Sequence, residues 1–313
     1  MLETLGQVLW SGDLVYATLR LTTPLLFAAL GGLMCERAGV LNIGLEGMML
    51  GGALTAYVVA LRTGNPWLGI LAALVVGAAT GLLFAVVVVT FRANQIVSAV
   101  GLNILMLGLT GVALRAAVGL STGQSPAPTI PIWKIPGLAD LPLIGPVLFA
   151  HLPFVYLVFL LAGVMAFIFY RTTWGLAIRA VGENPRAAET VGIDVIRVRY
   201  VTVVWSGIFA AVGGAMLSIG YLNTFQEGLT AGRGFIAFSA IIFGRYTPLG
   251  TMLASLLFGF TDALQLRIQA FGILIPYQFL VVLPYIVTLL ALFVAGRSKG
   301  PAASGVPYVP GEE

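Results

Sequence analysis

Few residues in this sequence could do chemistry, and most of them fall in two places. Glu46 lies inside an apolar stretch, with Asn42 four positions earlier on the same expected helical face. A carboxylate at the centre of a bilayer costs about 2.5–3.5 kcal/mol, so it must face protein or water. Gly44, Gly47, Gly51 and Gly52 would let other backbones approach it closely. Such a group suits hydrogen bonding to the hydroxyls or ring nitrogens of a small polar solute. Equally, it could tie helices together by pairing with Arg20 or Arg37. Farther along, Gln226, Glu227 and Arg233 flank a short apolar stretch at 234–246 and could meet a solute or a soluble protein. Asn94, Gln95, Ser98 and Asn103 have the look of contacts between helices.

Other chemistries lack their groups. One cysteine, Cys35, and one histidine, His151, supply no metal cluster, no disulfide within the chain and no nucleophile with a base near it in sequence. No G-x-x-x-x-G-K-[ST] loop occurs, and the only lysines are Lys134 and Lys299. The chain is therefore not expected to be an enzyme, to hydrolyse ATP or to hold a cofactor of its own.

The elements that must position these groups are membrane helices. Of 313 residues, 59% are hydrophobic and 9% charged, and the mean hydropathy is +1.02. That leaves too little polar surface for a water-soluble globule. The net charge of +4 comes mostly from arginines between apolar runs, a pattern of membrane topology and not of nucleic-acid binding. Residues 1–13 hold Glu3 and Asp13 and no basic residue, unlike a cleaved signal peptide, so the start is expected to be retained. Spans of roughly 20 apolar residues are expected at Leu14–Met34, Val40–Leu61, Trp67–Phe91, Ile96–Val118, Leu152–Tyr170, Tyr200–Leu222, Gly250–Ile268 and Tyr277–Val294. The stretch Gly234–Tyr246 is short enough to be a half-helix. The fold class is thus an all-α polytopic membrane protein, one domain over 1–313, with about eight to ten helices, some of them broken.

Orientation follows from Arg171, Arg179, Arg186, Arg197 and Arg199, which put 171–199 and the C-terminus in the cytoplasm. The stretch 121–146, with Pro126, Pro128, Pro131, Pro136, Pro142 and Pro146, is expected to be an external loop. Within 171–199 the residues Glu183, Asn184, Pro185, Arg186, Ala187, Ala188, Glu189 and Gly192 specify a short helix over 185–191. Asn184 is its N-cap, Pro185 its first residue and Gly192 its left-handed stop. Small Ala187 and Ala188 would admit a close partner, while Arg186 and Glu189 offer charge. By its residues alone this is either a solvated loop helix or a contact for a soluble protein.

Three stretches carry a resemblance. "GLAIRAVGENPRAAETVGI" (175–193) resembles the cytoplasmic coupling segment of permease subunits of ABC importers for simple sugars, nucleosides and branched-chain amino acids. "ERAGVLNIGLEGMMLGGA" (36–53) is similar to the broken-helix signature of the nucleoside and simple-sugar branch, and "GRGFIAFSAIIFGRYTPLG" (232–250) to its counterpart in the second half. The resemblance implies a permease in the cytoplasmic membrane that forms the pathway for a nucleoside or simple sugar. Its implied partners are an ATP-binding cassette subunit, which binds the ATP, a second and paralogous permease, an extracytoplasmic binding protein or lipoprotein, and membrane lipid. Residues 183–189 and 192 would then couple to the ATPase, and Asn42, Glu46, Gly47, Gln226, Glu227 and Arg233 would line the pathway. A branched-chain amino-acid permease, or a secondary transporter or channel without an ATPase, are the alternatives. The second and third stretches also suggest an inverted repeat whose two helices start on opposite membrane faces.

Overall fold

The computed structural model describes residues 12–119, 125–142, 145–270 and 299–310, together with Val282, Ile286, Leu290 and Phe293. Among these, seven helices are long and apolar enough to cross a membrane. They are α1 (Gly12–Arg37), α2 (Leu45–Thr63), α3 (Pro66–Ala85, continued by a π turn to Thr90), α4 (Gln95–Val118), α6 (Pro153–Arg171), α9 (Val195–Ala215, continued by a π turn to Leu222) and α11 (Pro248–Ala270). Shorter elements connect them: α5 (Gly145–Leu148), α7 (Thr173–Glu183), α8 (Pro185–Thr190) and α10 (Arg233–Phe243). The expected eighth span, Tyr277–Val294, falls largely outside the described residues.

Local sequence explains most helix starts. The side chains of Asn65, Asn94, Thr172, Asn184 and Asp194 each accept a hydrogen bond from an amide two or three residues on, which satisfies an otherwise orphaned donor. Pro66, Pro153 and Pro185 follow in the first turn, where their missing N–H costs nothing.

Packing sorts the helices into a centre and a periphery. In their most apolar windows α9 and α2 are 72% and 67% buried, whereas α4 is only 28% buried and turns apolar residues such as Val97, Ile104 and Val112 outward. Glycine allows the central contact. A Cβ on Gly214 of α9 would stand 1.8 Å from the Met49 carbonyl oxygen, and one on Gly52 of α2 would stand 2.2 Å from that of Ala211. The two backbones touch, which gains dispersion contacts that larger side chains would prevent.

Residues 125–142 of the proline-rich segment form an ordered cover. Its Ala127 and Ile130 amides donate to the Asn223 and Ile219 carbonyls at 2.8 and 3.3 Å, capping the π turn of α9. β1 (Trp133–Lys134) pairs antiparallel with β2 (Ala150–His151). His151 stacks on Tyr16, and its ring Nε2 lies 2.8 Å from the Val147 carbonyl. Burial lowers the pKa of this imidazole, which keeps it neutral.

Candidate functional site: two breaks joined by a carboxylate

The first break lies between α1 and α2. Residues 38–44 leave the helix, with Gly39 at φ +80°, so their backbone groups need other partners. Side chains from two helices, and from the break itself, supply them. Glu36 Oε1 accepts from the Asn42 amide at 3.0 Å, and Gln95 Oε1 accepts from the Leu41 amide at 2.7 Å. Asn103 donates to the Ile43 carbonyl at 3.1 Å and accepts from the Gly47 amide at 2.8 Å. Asn42 accepts from the Gly44 amide at 3.0 Å and donates to Ser206 Oγ at 2.9 Å.

The second break comes in two pieces around α10. A connection over 223–232 leads into it, and a turn at 244–247 leads from it to α11. Asn223, Ala231, Arg245 and Tyr246 all have positive φ, between 46° and 61°, in a region that non-glycine residues avoid. The Arg37 Nε donates to the Tyr246 carbonyl at 2.6 Å, which anchors the turn beside the end of α1.

Glu46 joins the breaks. Its Oε1 accepts from the Thr230 hydroxyl at 2.6 Å and from the Gly232 amide at 2.8 Å, and its Oε2 accepts from the Gly234 amide at 2.6 Å. A carboxylate thus occupies the N-terminal end of α10, where unpaired N–H groups and the helix dipole favour negative charge. Gly234 is required there, since a Cβ would come within 2.4 Å of the Glu46 amide nitrogen.

Several expectations need correcting. Glu46 bonds neither Arg20 nor Arg37: Arg20 donates to the Tyr221 carbonyl, and Arg37 to that of Tyr246. Asn42 does not share a helical face with Glu46, because the helix begins only at Leu45; it is 1% exposed and its amide is engaged on both sides. The starts of α2 and α10 meet at Glu46 instead of lying on opposite faces. From there α10 runs toward Arg37, while α2 runs to Arg62, beside the end of α4.

Of the other polar candidates, Gly47 is buried and held by Asn103. Gln226 lies in the connection before α10. Glu227 bonds Arg115 of α4 at 2.9 Å, with both side chains at least half exposed, so this ion pair contributes little to stability. Arg233 opens α10 and reaches back to the Thr230 carbonyl at 3.4 Å. Gln95 and Asn103, expected as helix contacts, are those that hold the first break. Thr230 was not legible as a partner, because nothing local in sequence ties it to a residue 184 positions away.

The short helix between α7 and α9 forms as the sequence specifies, over Pro185–Thr190, with the Asn184 side chain accepting from the Ala187 amide at 3.0 Å. Gly192 follows at φ +85°, and the Ile193 amide closes on the Ala188 carbonyl at 3.0 Å. The two alanines differ, however. Ala188 is buried at 2% exposure and packs on its own chain, whereas Arg186, Ala187 and Glu189 face outward. Val191, 75% exposed at the same tip, is an apolar residue that no local sequence signal marks. So is α7, an amphipathic helix that precedes the tip and buries Ile178 and Val181.

With this geometry in place, comparison with known proteins becomes informative. A family profile described as "Branched-chain amino acid transport system / permease component" matches residues 14–292. The guanosine ABC transporter permease protein NupQ of Bacillus subtilis (strain 168) is 40% identical over 311 residues, covering 96% of this chain and 97% of the relative. The nucleoside ABC transporter permease protein NupC of Lactococcus lactis subsp. cremoris is 38% identical over 314 residues, 97% of each chain. The putative glucose ABC transporter permease protein TsgC13 of Haloferax volcanii is 40% identical over 264 residues, 84% of this chain and 80% of the relative. No solved structure matches.

Proposed function

The chain belongs to the branched-chain amino acid transport system / permease component family, and from that premise we propose that it forms the membrane pathway of an ATP-driven importer of nucleosides. The similarity along nearly the whole chain to permeases named for guanosine and nucleosides supports that solute class, with simple sugars as the second choice. The observation that carries the mechanism is α8, a firmly capped helix between two membrane spans with Arg186, Ala187, Glu189 and Val191 turned outward. A partner that grips this tip can push on both α7 and α9.

In this reading an ATP-binding cassette subunit docks on 183–189 and 192 and binds the ATP, so this chain carries no cofactor. The exposed apolar face of α4 leaves room for a second permease within the lipid. An extracytoplasmic binding protein or lipoprotein delivers the solute to the outer face, near Gln226 and Glu227. The solute passes the clasp of Glu46 with Thr230, Gly232 and Gly234, with Arg233 and Gly47 beside it. Asn42 acts on that path indirectly, by holding the first break. The arginine-rich segment 171–199 and the C-terminal tail face the cytoplasm, in a chain with no nucleic-acid role.

Uptake of labelled nucleosides tests the proposal, in cells that express the chain with its three partners and lack other nucleoside transport. Uptake should require the ATP-binding subunit and be competed by unlabelled nucleosides, not by leucine. Competition by leucine, or uptake that persists without the ATP-binding subunit, would reject it. Orientation has its own check: a cysteine introduced at Lys134 should react with a membrane-impermeant thiol reagent from outside, and one at Ala187 should not.

A further inference from the structure

Residues 299–310 lie back against the bundle. The Ala303 amide donates to the Gly182 carbonyl at 2.9 Å, near the end of α7. One residue on, the Ser304 hydroxyl reaches Glu36 Oε2 at 3.3 Å. Arg199 of α9, fully buried, donates from Nη1 to the Val306 carbonyl at 3.1 Å, and its guanidinium lies 5.8 Å from the centre of the Tyr308 ring. Tyr308 is itself 8% exposed, its hydroxyl makes no hydrogen bond among the described residues, and the Glu189 carboxylate of α8 acts on it through charge. Burial first, and that carboxylate second, push the phenol up to about 12, so it stays protonated. The fit is close at the backbone too, for a Cβ on Gly39 would come within 3.2 Å of the Ala303 carbonyl oxygen.

These contacts connect two regions that the sequence keeps far apart. At one end is α8, whose Pro185 and Arg186 line a cavity together with Val306 and Tyr308. At the other is Glu36, whose Oε1 holds the Asn42 amide of the first break while its Oε2 takes Ser304. Asn42 in turn holds Gly44 and Ser206. The tail therefore reaches from the cavity beside α8 to the break beside Glu46.

We propose that the C-terminal segment Pro301–Val309 is a positioning element of the coupling machinery, with Tyr308 and Ser304 carrying displacements of α8 to the break at 38–44. The proposal rests on the reading of α8 as the place where the ATP-binding subunit docks. Spatial continuity alone does not establish coupling, so the decisive readout is the link between hydrolysis and uptake.

The experiment uses the full transporter in membranes, with uptake and ATP hydrolysis both scaled to inserted permease. A chain ended after Gly300 should insert, keep its ATP-binding subunit and hydrolyse ATP, yet take up labelled nucleoside roughly tenfold more slowly, within the range of coupling between distant sites. Tyr308→Ala should show the same split to a smaller degree. If the shortened chain fails to insert, Tyr308→Ala decides in its place: reduced uptake with hydrolysis retained supports the proposal, and unchanged uptake overturns it. Full uptake by the shortened chain also overturns it. So does loss of the ATP-binding subunit from an inserted chain, which would make the tail part of the docking surface instead. Absence of ATP-dependent uptake by the unaltered chain would sink the α8 reading as well, and is distinguishable because it appears before any substitution is made.

Discussion

The two breaks in the bundle are held in place by different means. Around 38–44 the backbone is relaxed apart from the one glycine at positive φ, and Glu36, Asn42, Gln95 and Asn103 satisfy its polar groups. Around α10 the chain bends through Asn223, Ala231, Arg245 and Tyr246 in left-handed conformations. Each of these costs on the order of 1 kcal/mol, and such strain persists only where surrounding contacts impose it. A break pinned by buried side chains keeps its internal arrangement and can shift only as a unit with the groups that hold it. A break that stores strain has somewhere to go once a contact lets go. In the pathway proposed above Glu46 would be that contact, with the first break shifting as a unit and the second rearranging.

The largest effect should come from destroying the junction. Gly234→Val places a branched side chain where even a Cβ lies 2.4 Å from the Glu46 amide nitrogen, and it should abolish uptake in the nucleoside assay. Uptake near the normal rate would mean that the halves need not meet there. Next comes the docking tip. Ala187→Trp adds bulk on the exposed side of α8 at a cost of about 1–3 kcal/mol in a tight interface, or roughly tenfold in affinity for each 1.4 kcal/mol. Less ATP-binding subunit should then co-purify with a normally inserted permease. The buried Ala188 is the wrong site for this test, because a tryptophan there would damage the chain's own packing.

Loosening the first break should have a moderate effect. Asn103→Leu leaves the Gly47 amide and the Ile43 carbonyl without partners, which costs about 1–3 kcal/mol. The purified permease should melt at a lower temperature and transport more slowly, and an unchanged melting temperature would argue that side chains do not pin this break. The smallest effect runs the other way. Ala231→Gly removes a strained φ of 46° and should stabilise the chain by up to about 1 kcal/mol, net of the entropy that glycine loses on folding. If it instead lowers the melting temperature, strain is not what distinguishes the second break.

Local physics explains which of these features the sequence discloses. The spans are legible because a bilayer imposes length and hydropathy, and α8 is legible because its cap, its proline and its glycine all lie within nine residues. The first break is hidden for the opposite reason: Val40–Leu61 reads as one apolar run, and only partners on α1, α4 and α9 reveal that its first turn is unwound. The face of α8 is equally unreadable, since six residues carry too little periodicity to say which alanine points inward. Glu46 stood out as a costly carboxylate, but its donors lie 184 to 188 positions away. The tail packed beside α7 and α9 follows from no pattern at all.

The most direct test of the Glu46 junction as the gate is Glu46→Gln, measured as ATP-dependent nucleoside accumulation in proteoliposomes that hold the complete transporter. The amide keeps the shape of the side chain, but its NH2 only donates, so at least one of Thr230, Gly232 and Gly234 loses its acceptor. Losing one bond to a charged acceptor is worth about 1.5–3 kcal/mol, enough to shift the clasp roughly tenfold or more. Accumulation should fall by about that factor, while insertion, the bound ATP-binding subunit and its ATP hydrolysis stay near normal. Accumulation at the unaltered rate would show that solute does not pass the clasp and that Glu46 only holds the two halves together.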